Sequence, residues 1–371
     1  MSLQSTLSPA IPVIRHFALL SLAALLSSAT LASAQTFPTA DSILGRIWVQ
    51  GMDSSQTLTL AQTLSDSIGP RLTGTPRQKA GNDWLLSIYG KWGITARNEQ
   101  YGTWRGWRRG ITHVDLISPR VRSLEATMLA WSPGTNARRR AGQKGPAVGR
   151  PLDVEGQLVI VPDLADSAAY AAWLPKARGK FVLTSFAEPT CRPDTNWVSY
   201  ATAESYTRMR GQRIADEAAW DARIRKSGYT SRALPTALER NGALGIITSN
   251  WSSGWGVNKI FQARTEIVPS IDVSCEDYGL LYRLTSSNQR PVIRMRADAE
   301  LSGERPVYNT VAEIRGSEKP DEYVMLSAHF DSWDGASGAT DNGTGSIAML
   351  EAMRILKTVY PAPKRTILVG H

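Results

Sequence analysis

Residues 327–346 have the sequence SAHFDSWDGASGATDNGTGS, which is rich in Asp and Gly. This segment follows the apolar segment YVMLSA, which predicts a buried strand, and it precedes a helical pattern that begins near Gly343. His329 comes directly after the predicted strand, and Asp341 comes directly before the predicted helix. In open α/β sheets, ligands bind at the edge where the strands end. The segment therefore predicts a strand–loop–helix unit with a histidine and a carboxylate at one sheet edge.

The residue types in this loop are those that hold a divalent metal ion. An imidazole nitrogen and a carboxylate oxygen suit a borderline cation such as zinc. Asp331 is close enough to His329 in sequence to accept a hydrogen bond from the imidazole nitrogen that does not bind the metal, which fixes the tautomer. A surface loop with a helix cap is the alternative interpretation, because a lone His-x-Asp triplet is common in such loops.

The sequence on both sides of the loop indicates alternating strands and helices. YNTVAEIRG and DEYVMLSAH predict strands, the residues from Gly343 to Tyr360 predict a helix, and RTILVG predicts a further strand. Strands joined through a crossover helix are expected in a largely parallel sheet. Residues 41–93 predict helices, and the Gly-, Pro- and Arg-rich residues 132–151 predict a domain boundary.

A small β-rich domain is predicted after that boundary. The segments GQLVIVP, GKFVLTS and GALGIITS indicate strands, and the charged residues from Glu204 to Lys226 predict an exposed helix or a helical hairpin. We therefore expect a signal peptide at 1–34, the first part of a main domain at 35–131, an inserted domain at 132–297 and the second part of the main domain at 298–371.

The amino-terminal residues are typical of a secretory signal peptide. Arg15 precedes the apolar residues 17–31, and residues 32–34 form a small-residue cleavage site. No other stretch has the length of a membrane span, so the sequence predicts a secreted or periplasmic protein without a membrane anchor. In such a compartment Cys191 and Cys275 could form a disulfide, and the sequence leaves the paired and free states equally open.

The positive charge of the chain does not require a nucleic-acid partner. The formal net charge is +9, and arginines are dense around Arg105–Arg109 and Arg138–Arg140. Clusters of this kind are found in nucleic-acid-binding proteins and also on solvated loops. An exported protein favours the second interpretation, so no nucleic-acid partner is expected.

The motif HFDSWDGASGATDNGTG, with its flanking strand and helix, resembles the first metal motif of the co-catalytic zinc exopeptidases, above all their carboxypeptidase Q branch and next the glutamate carboxypeptidase branch. LSDSIGPRLTGTP, residues 64–76, resembles the segment that opens the mature enzymes, and IVPSIDVSCEDYGLLYRL resembles the end of their inserted protease-associated domain. The resemblance implies an α/β fold of three layers with a mostly parallel central sheet, incomplete here, plus an inserted β-rich protease-associated domain.

The same resemblance implies a hydrolase with two zinc ions that acts on peptide substrates. His329 would bind one zinc ion, Asp341 would bridge both ions, and Asp331 would act in catalysis by orienting His329. A cis peptide bond would join Asp341 to Asn342. Cobalt or manganese could replace zinc, and a homodimer is an oligomeric state that the sequence leaves open.

The family's general base lies in a Glu-Glu pair just beyond the strand that matches RTILVG, and its remaining ligands follow later. We therefore expect this chain to be an amino-terminal portion that is inactive alone. His371 is expected to be frayed rather than a substitute ligand, and His113 is expected to be structural.

Two other functions stay open, namely a receptor-like protein without metal chemistry and a peptide-binding module in the inserted domain. The sequence does not separate aminopeptidase from carboxypeptidase activity. Arg71 or Arg264 could pair with a substrate carboxylate, and the sequence favours neither.

Overall fold

The computed structural model describes residues 37–135, 153–257 and 260–371. They divide into two compact units, of which the first ends at Ser54. Its described part contains helix α1, Ser42–Met52, which begins where the Asp41 carboxylate accepts hydrogen bonds from two backbone N–H groups of the first turn. The predicted signal peptide lies outside the described residues.

The second unit contains all the other elements. Its helices are α2 (Thr57–Gln62, continued by the π-helical turn Thr63–Ile68), α3 (Pro76–Lys91), α4 (Ser167–Trp173), α5 (Asp194–Tyr200), α6 (Ala203–Lys226), α7 (Leu234–Arg240), α8 (Cys275–Ser286) and α9 (Thr344–Val359). Its strands are β1 (Thr95–Ser118), β2 (Arg122–Leu124), β3 (Ala126–Met128), β4 (Val154–Ile160), β5 (Phe181–Leu183), β6 (Gly245–Thr248), β7 (Ser270–Val273), β8 (Val292–Ile314), β9 (Lys319–Ser327) and β10 (Arg365–Gly370). Within the described ranges, no helix is both long and apolar enough to cross a bilayer.

The described strands form one mixed sheet built around two long antiparallel strands, β1 and β8, which pair along most of their length. Near its carboxyl end, β8 pairs antiparallel with β10, and β10 pairs parallel with β9. Near its amino end, β8 pairs antiparallel with β4, which begins the parallel series β4, β5, β6 and β7. The long strand β8 thus connects two parallel sets of strands, one at each of its ends.

The α/β fold class is confirmed, and so is the strand–helix–strand unit, because α9 connects the parallel strands β9 and β10. The description of residues 132–297 as β-rich was wrong, because helices occupy more of its described part than strands do. Parallel strands such as β4 to β7 cannot be joined by tight hairpins, so helical crossovers fill the connections. The charged segment is the single helix α6. The domain boundaries stay a prediction.

The part of the sheet that carries the loop packs on a core formed by α2, α3 and α9. Its buried side chains are Leu60, Leu64, Leu85, Tyr89, Ile94, Ala312, Ile314, Phe330, Ile347, Leu350, Met353, Ile367 and Val369. Each such aliphatic side chain contributes about 1.5–3 kcal/mol on burial. The prediction of a buried strand at YVMLSA was wrong, since Tyr323, Val324 and Met325 are exposed. The reason is that β9 pairs only with β10 among the described strands.

Cys191 and Cys275 form a disulfide bond, which settles the alternative that the sequence leaves open. Cys275 is the first residue of α8, and Cys191 lies in the loop before α5. The bond therefore connects two parts of the chain that are 84 residues apart in sequence.

Candidate metal centre

The structure brings His329 and Asp341 together at the carboxyl end of β9. His329 Nε2 lies 3.0 Å from Asp341 Oδ1. On the other side of the ring, His329 Nδ1 lies 3.1 Å from Asp331 Oδ1. The imidazole is therefore placed between two carboxylates, in the arrangement that the sequence predicts. The roles of these three residues in metal binding stay a prediction.

The hydrogen-bond chemistry of this pair fits a cation. A neutral imidazole that donates its Nδ1–H to Asp331 presents a bare Nε2 lone pair to the Asp341 carboxylate. Two acceptors 3.0 Å apart repel each other unless a proton or a metal ion lies between them. Two ligands of one tetrahedral zinc ion, each at about 2.0–2.1 Å, are separated by about 3.3 Å, which is close to the spacing observed.

The pair faces solvent, and its two side chains are fewer than a complete set of metal ligands. The side chain of His329 is 55% exposed and that of Asp341 is 70% exposed, so both donors are accessible to an ion. Among the residues that the structure describes, no group of three or more His, Cys, Asp and Glu side chains is arranged to hold a metal ion. The described residues thus offer two donors that fit zinc, with Asp331 orienting one of them.

Arg71 fixes the backbone of the loop between the two donors. It is fully buried, and its guanidinium donates hydrogen bonds to four backbone carbonyls, those of Gly69, Phe330, Ser337 and Gly338. Burial lowers the pKa of Arg71, and the nearby charge of Asp331 opposes that shift. Sequence reasoning considered Arg71 only as a partner for a substrate carboxylate. Its observed partners are instead carbonyls of the loop.

The loop has no room for a side chain at Gly338. This residue has φ +65°, and a Cβ there would meet the Ser332 side chain and the Arg71 guanidinium. Ser332 also accepts a hydrogen bond from the Arg71 N–H at 2.9 Å. A glycine is therefore required for this close approach.

Asp341 lies shortly before the amino-terminal end of α9. The peptide bond between Asp341 and Asn342 is cis, which confirms the geometry implied by the resemblance. Asn342 Oδ1 accepts a hydrogen bond from the Gly345 N–H at 3.2 Å. This contact satisfies one of the backbone donors that the first turn of a helix leaves free.

An aromatic-walled cleft of about 340 Å³ lies beside the pair, with Asp341 at its rim and Trp333 and Phe261 in its wall. The rings of Phe261 and Trp333 are 5.5 Å apart, and Trp131 lies 6.2 Å from Trp333. The cleft can therefore hold an apolar group next to the two donors. Sequence reasoning missed this wall, although the twelve Trp residues of the chain indicate many aromatic contacts.

The two other histidines that the structure describes are His113 and His371. His113 lies in β1, opposite Arg296 of β8, consistent with the structural role expected for it. The prediction of a frayed His371 was wrong, because its backbone exchanges hydrogen bonds with Thr310 and its Nε2 lies 2.7 Å from the Tyr89 hydroxyl. Burial lowers the pKa of His371 to about 4.

Comparisons with known proteins show similarity to metallopeptidases over the loop and over most of the chain. Residues 309–370, which contain the loop, match the sequence profile of peptidase family M28. Carboxypeptidase Q from Bos taurus is 26% identical over 328 residues, which are 88% of this chain and 60% of that protein. Residues 309–370 of the chain are similar to peptidase family M28. The predicted resemblance to the co-catalytic zinc exopeptidases is thereby confirmed.

A second relative and a solved structure show similarities of comparable extent. Human carboxypeptidase Q is 26% identical over 304 residues, which are 82% of this chain and 55% of that protein. The chain thus spans a little over half the length of these relatives. The crystal structure of a peptidase M28 precursor from Shewanella amazonensis aligns with a TM-score of 0.55 and 23% identity, covering 88% of this chain and 65% of that chain. This likeness shows a shared fold.

Proposed function

We propose that the protein is a secreted metallo-exopeptidase that hydrolyses terminal peptide bonds at a pair of zinc ions. The observation that carries the proposal is the 3.0 Å approach of His329 Nε2 to Asp341 Oδ1 at the end of β9. The match of residues 309–370 to peptidase family M28 supports a peptidase. The disulfide between Cys191 and Cys275 supports an oxidising compartment, in keeping with the predicted signal peptide.

Each of the three residues has a distinct part in this proposal. His329, through Nε2, and the exposed carboxylate of Asp341 would hold the zinc ions. Asp331 accepts the Nδ1 proton and so keeps the Nε2 lone pair directed at the metal. The Thr73 hydroxyl donates to Asp331 Oδ2 at 3.3 Å and steadies that carboxylate. When bound, the two ions supply an activated water and stabilise negative charge on the scissile carbonyl.

The cleft beside the pair orients the substrate. Its wall at Trp333 and Phe261 gives an apolar surface for one substrate side chain, and such walls exclude water from the reacting bond. Asp334, which is nearly buried, pairs with Arg109 and is therefore not available as a further ligand.

The proposal predicts metal binding without turnover by this chain. Cobalt(II) titrated into residues 35–371 is expected to give a visible absorption band that Asp341→Asn abolishes. Dipeptides with added zinc are expected to stay intact, because the described residues bring no third ligand or base to the pair. Zinc-dependent hydrolysis would refute the expected inactivity of the chain, and absence of any metal binding would favour the receptor-like alternative.

A further inference from the structure

A second cavity adjoins the cleft beside the candidate metal centre. It has a volume of about 360 Å³, and Phe261 lines both it and the cleft. Thr184 and Ser185, which follow β5, and Asn250, which follows β6, also line it. The cavity thus lies at the carboxyl edge of a parallel sheet, the edge at which open α/β sheets bind ligands.

The charged side chains that line this cavity, which we call the arginine cavity, are basic. Among the residues that the structure describes, its lining includes Arg232 and Arg264 and no acidic residue. Neither guanidinium forms a hydrogen bond or an ion pair with any residue in the described part of the chain. Residues 1–36, 136–152 and 258–259 contain no Asp or Glu, so the chain has no carboxylate there to neutralise the two arginines.

The two arginines and a third one nearby repel each other. Burial lowers the pKa of Arg264, and the positive charge of Arg232 lowers it further. Burial also lowers the pKa of Arg105, with Arg264 as the second cause and Glu266 acting in the opposite direction. One terminal nitrogen of Arg105 is buried and has no hydrogen-bond partner among the described residues. An anion in the cavity would relieve this repulsion and supply acceptors.

We propose that the arginine cavity binds a carboxylate of a peptide whose neighbouring residue occupies the cleft at Trp333, an inference that rests on the proposed function because it names part of the substrate. A planar guanidinium such as that of Arg264 binds a carboxylate through two parallel hydrogen bonds. Phe261 forms the shared wall over which an extended peptide would pass from one cavity to the other. The carboxylate comes from the peptide's free carboxyl end or from an acidic side chain.

Binding of dansylated tetrapeptides to the full chain, measured by fluorescence anisotropy in EDTA, tests the proposal without any contribution from metal. Dansyl-Ala-Ala-Ala-Glu with a free carboxyl end is expected to bind, and dansyl-Ala-Ala-Ala-Gln-amide is expected to bind at least about tenfold more weakly. Dansyl-Ala-Ala-Ala-Ala with a free end and dansyl-Ala-Ala-Ala-Glu-amide separate the two sources of the carboxylate. Rising salt is expected to weaken the binding of the acidic peptides alone.

Variants connect this binding to the arginine cavity. Arg264→Gln is expected to weaken binding of the acidic peptide about tenfold. Arg232→Gln is expected to weaken it less, because Arg232 is more exposed than Arg264. Arg225→Gln, on the exposed side of α6, is the matched control and should bind as the wild type does. Circular dichroism confirms folding of each variant, and Arg264→Lys tests the site if Arg264→Gln does not fold, since losing the planar fork should also weaken binding.

Three results would overturn the proposal: equal binding of the acidic and amide peptides, wild-type binding by the folded Arg264 variant, or equally tight binding of inorganic phosphate with no preference for the peptide. The proposed function can fail separately. If the wild type binds no zinc, the proposed function fails but the peptide-binding measurements still test the arginine cavity. Arg264→Gln is expected to bind zinc as the wild type does.

Discussion

The guanidinium of Arg71 donates a hydrogen bond of 3.0 Å to the backbone carbonyl of Gly338, in the loop that carries the candidate metal ligands. The same side chain donates to the carbonyl of Phe330, which directly follows His329. Both ends of the loop are thus held by one buried residue that precedes α3. The spacing between His329 and Asp341 depends on Arg71 as well as on the loop's own sequence.

Replacing Arg71 with methionine tests this relationship. Arg71→Met leaves several buried carbonyls without a donor, so we expect a loss of about 2–4 kcal/mol in the free energy of unfolding. Urea denaturation measures the loss, and zinc affinity should fall with it. Arg77→Met is the control, because Arg77 donates to the single carbonyl of Ile68 at an exposed position, and its cost should stay below about 1 kcal/mol. Wild-type stability in Arg71→Met would contradict this role.

Alanine substitutions at two glycines separate backbone strain from steric exclusion. Gly338 and Gly93 have nearly the same φ, +65° and +64°, but a Cβ at Gly93 would meet no atom within 4 Å. Gly93→Ala should therefore cost only the backbone term of about 1 kcal/mol. Gly338→Ala should cost about 1–2 kcal/mol more, because the new methyl group meets Ser332 and Arg71. Equal stability of the two variants in thermal denaturation would show that the loop has room.

His371 makes the protein less stable in acid. Its pKa is lowered by burial to about 4 in the folded state, whereas an unfolded histidine titrates near 6.5. The unfolded state therefore binds more protons between these values, so stability present above about pH 6.5 is lost as the pH falls towards 4. His371→Gln should flatten the dependence of unfolding free energy on pH in this window. An unchanged slope would show that His371 is protonated in the folded protein.

The effect of Asp272 on the pH dependence of stability is opposite to that of His371. Burial raises its pKa to about 7, above the value of about 3.9 in an unfolded chain. The folded state then binds more protons in the intervening range, so this contribution is present below about pH 4 and is lost as the pH rises through 7. Asp272→Asn, which keeps a side-chain oxygen for Thr248 and Asn250, should steepen the loss of stability in acid. A shallower acid slope than that of the wild type would contradict the assignment.

The disulfide between Cys191 and Cys275 should stabilise the fold. It closes a long loop, for which the expected contribution is about 2–5 kcal/mol. Dithiothreitol is therefore expected to lower the urea midpoint of the wild type. The urea midpoint of Cys275→Ser should equal that of the reduced wild type, whether or not dithiothreitol is present. A wild-type midpoint that does not respond to full reduction, confirmed by thiol titration, would contradict this contribution.

The sequence was sufficient to predict the strand, loop and helix around His329, because the patterns that indicate them are local. Residues whose placement depends on distant parts of the chain could not be predicted. Arg71 donates to carbonyls that come near it only after folding, and His371 is buried against Tyr89, which is 282 residues away in sequence. The exposure of Tyr323 follows from the position of β9 in the sheet, which its apolar sequence does not reveal.

The predicted inserted domain, residues 132–297, shows the same limit of prediction from sequence. The apolar segments that become β4, β5 and β6 were recognised as strands, but their parallel pairing depends on contacts between them. That pairing requires crossovers, and the crossovers contain the helices that the description as β-rich left out. The arginine cavity likewise combines Arg232 and Arg264 with the ends of strands that are far apart in sequence.

Isothermal titration calorimetry with zinc is the most direct test of whether His329 and Asp341 share a metal ion. After removal of trace metal, the wild-type chain is expected to bind zinc, with His329→Gln and Asp341→Asn each at least about tenfold weaker, a difference of about 1.4 kcal/mol. Asp321→Asn, at an exposed position of β9, should match the wild type. Zinc binding by Asp341→Asn with wild-type affinity, or no binding by the wild type, would show that the two side chains do not share a metal ion.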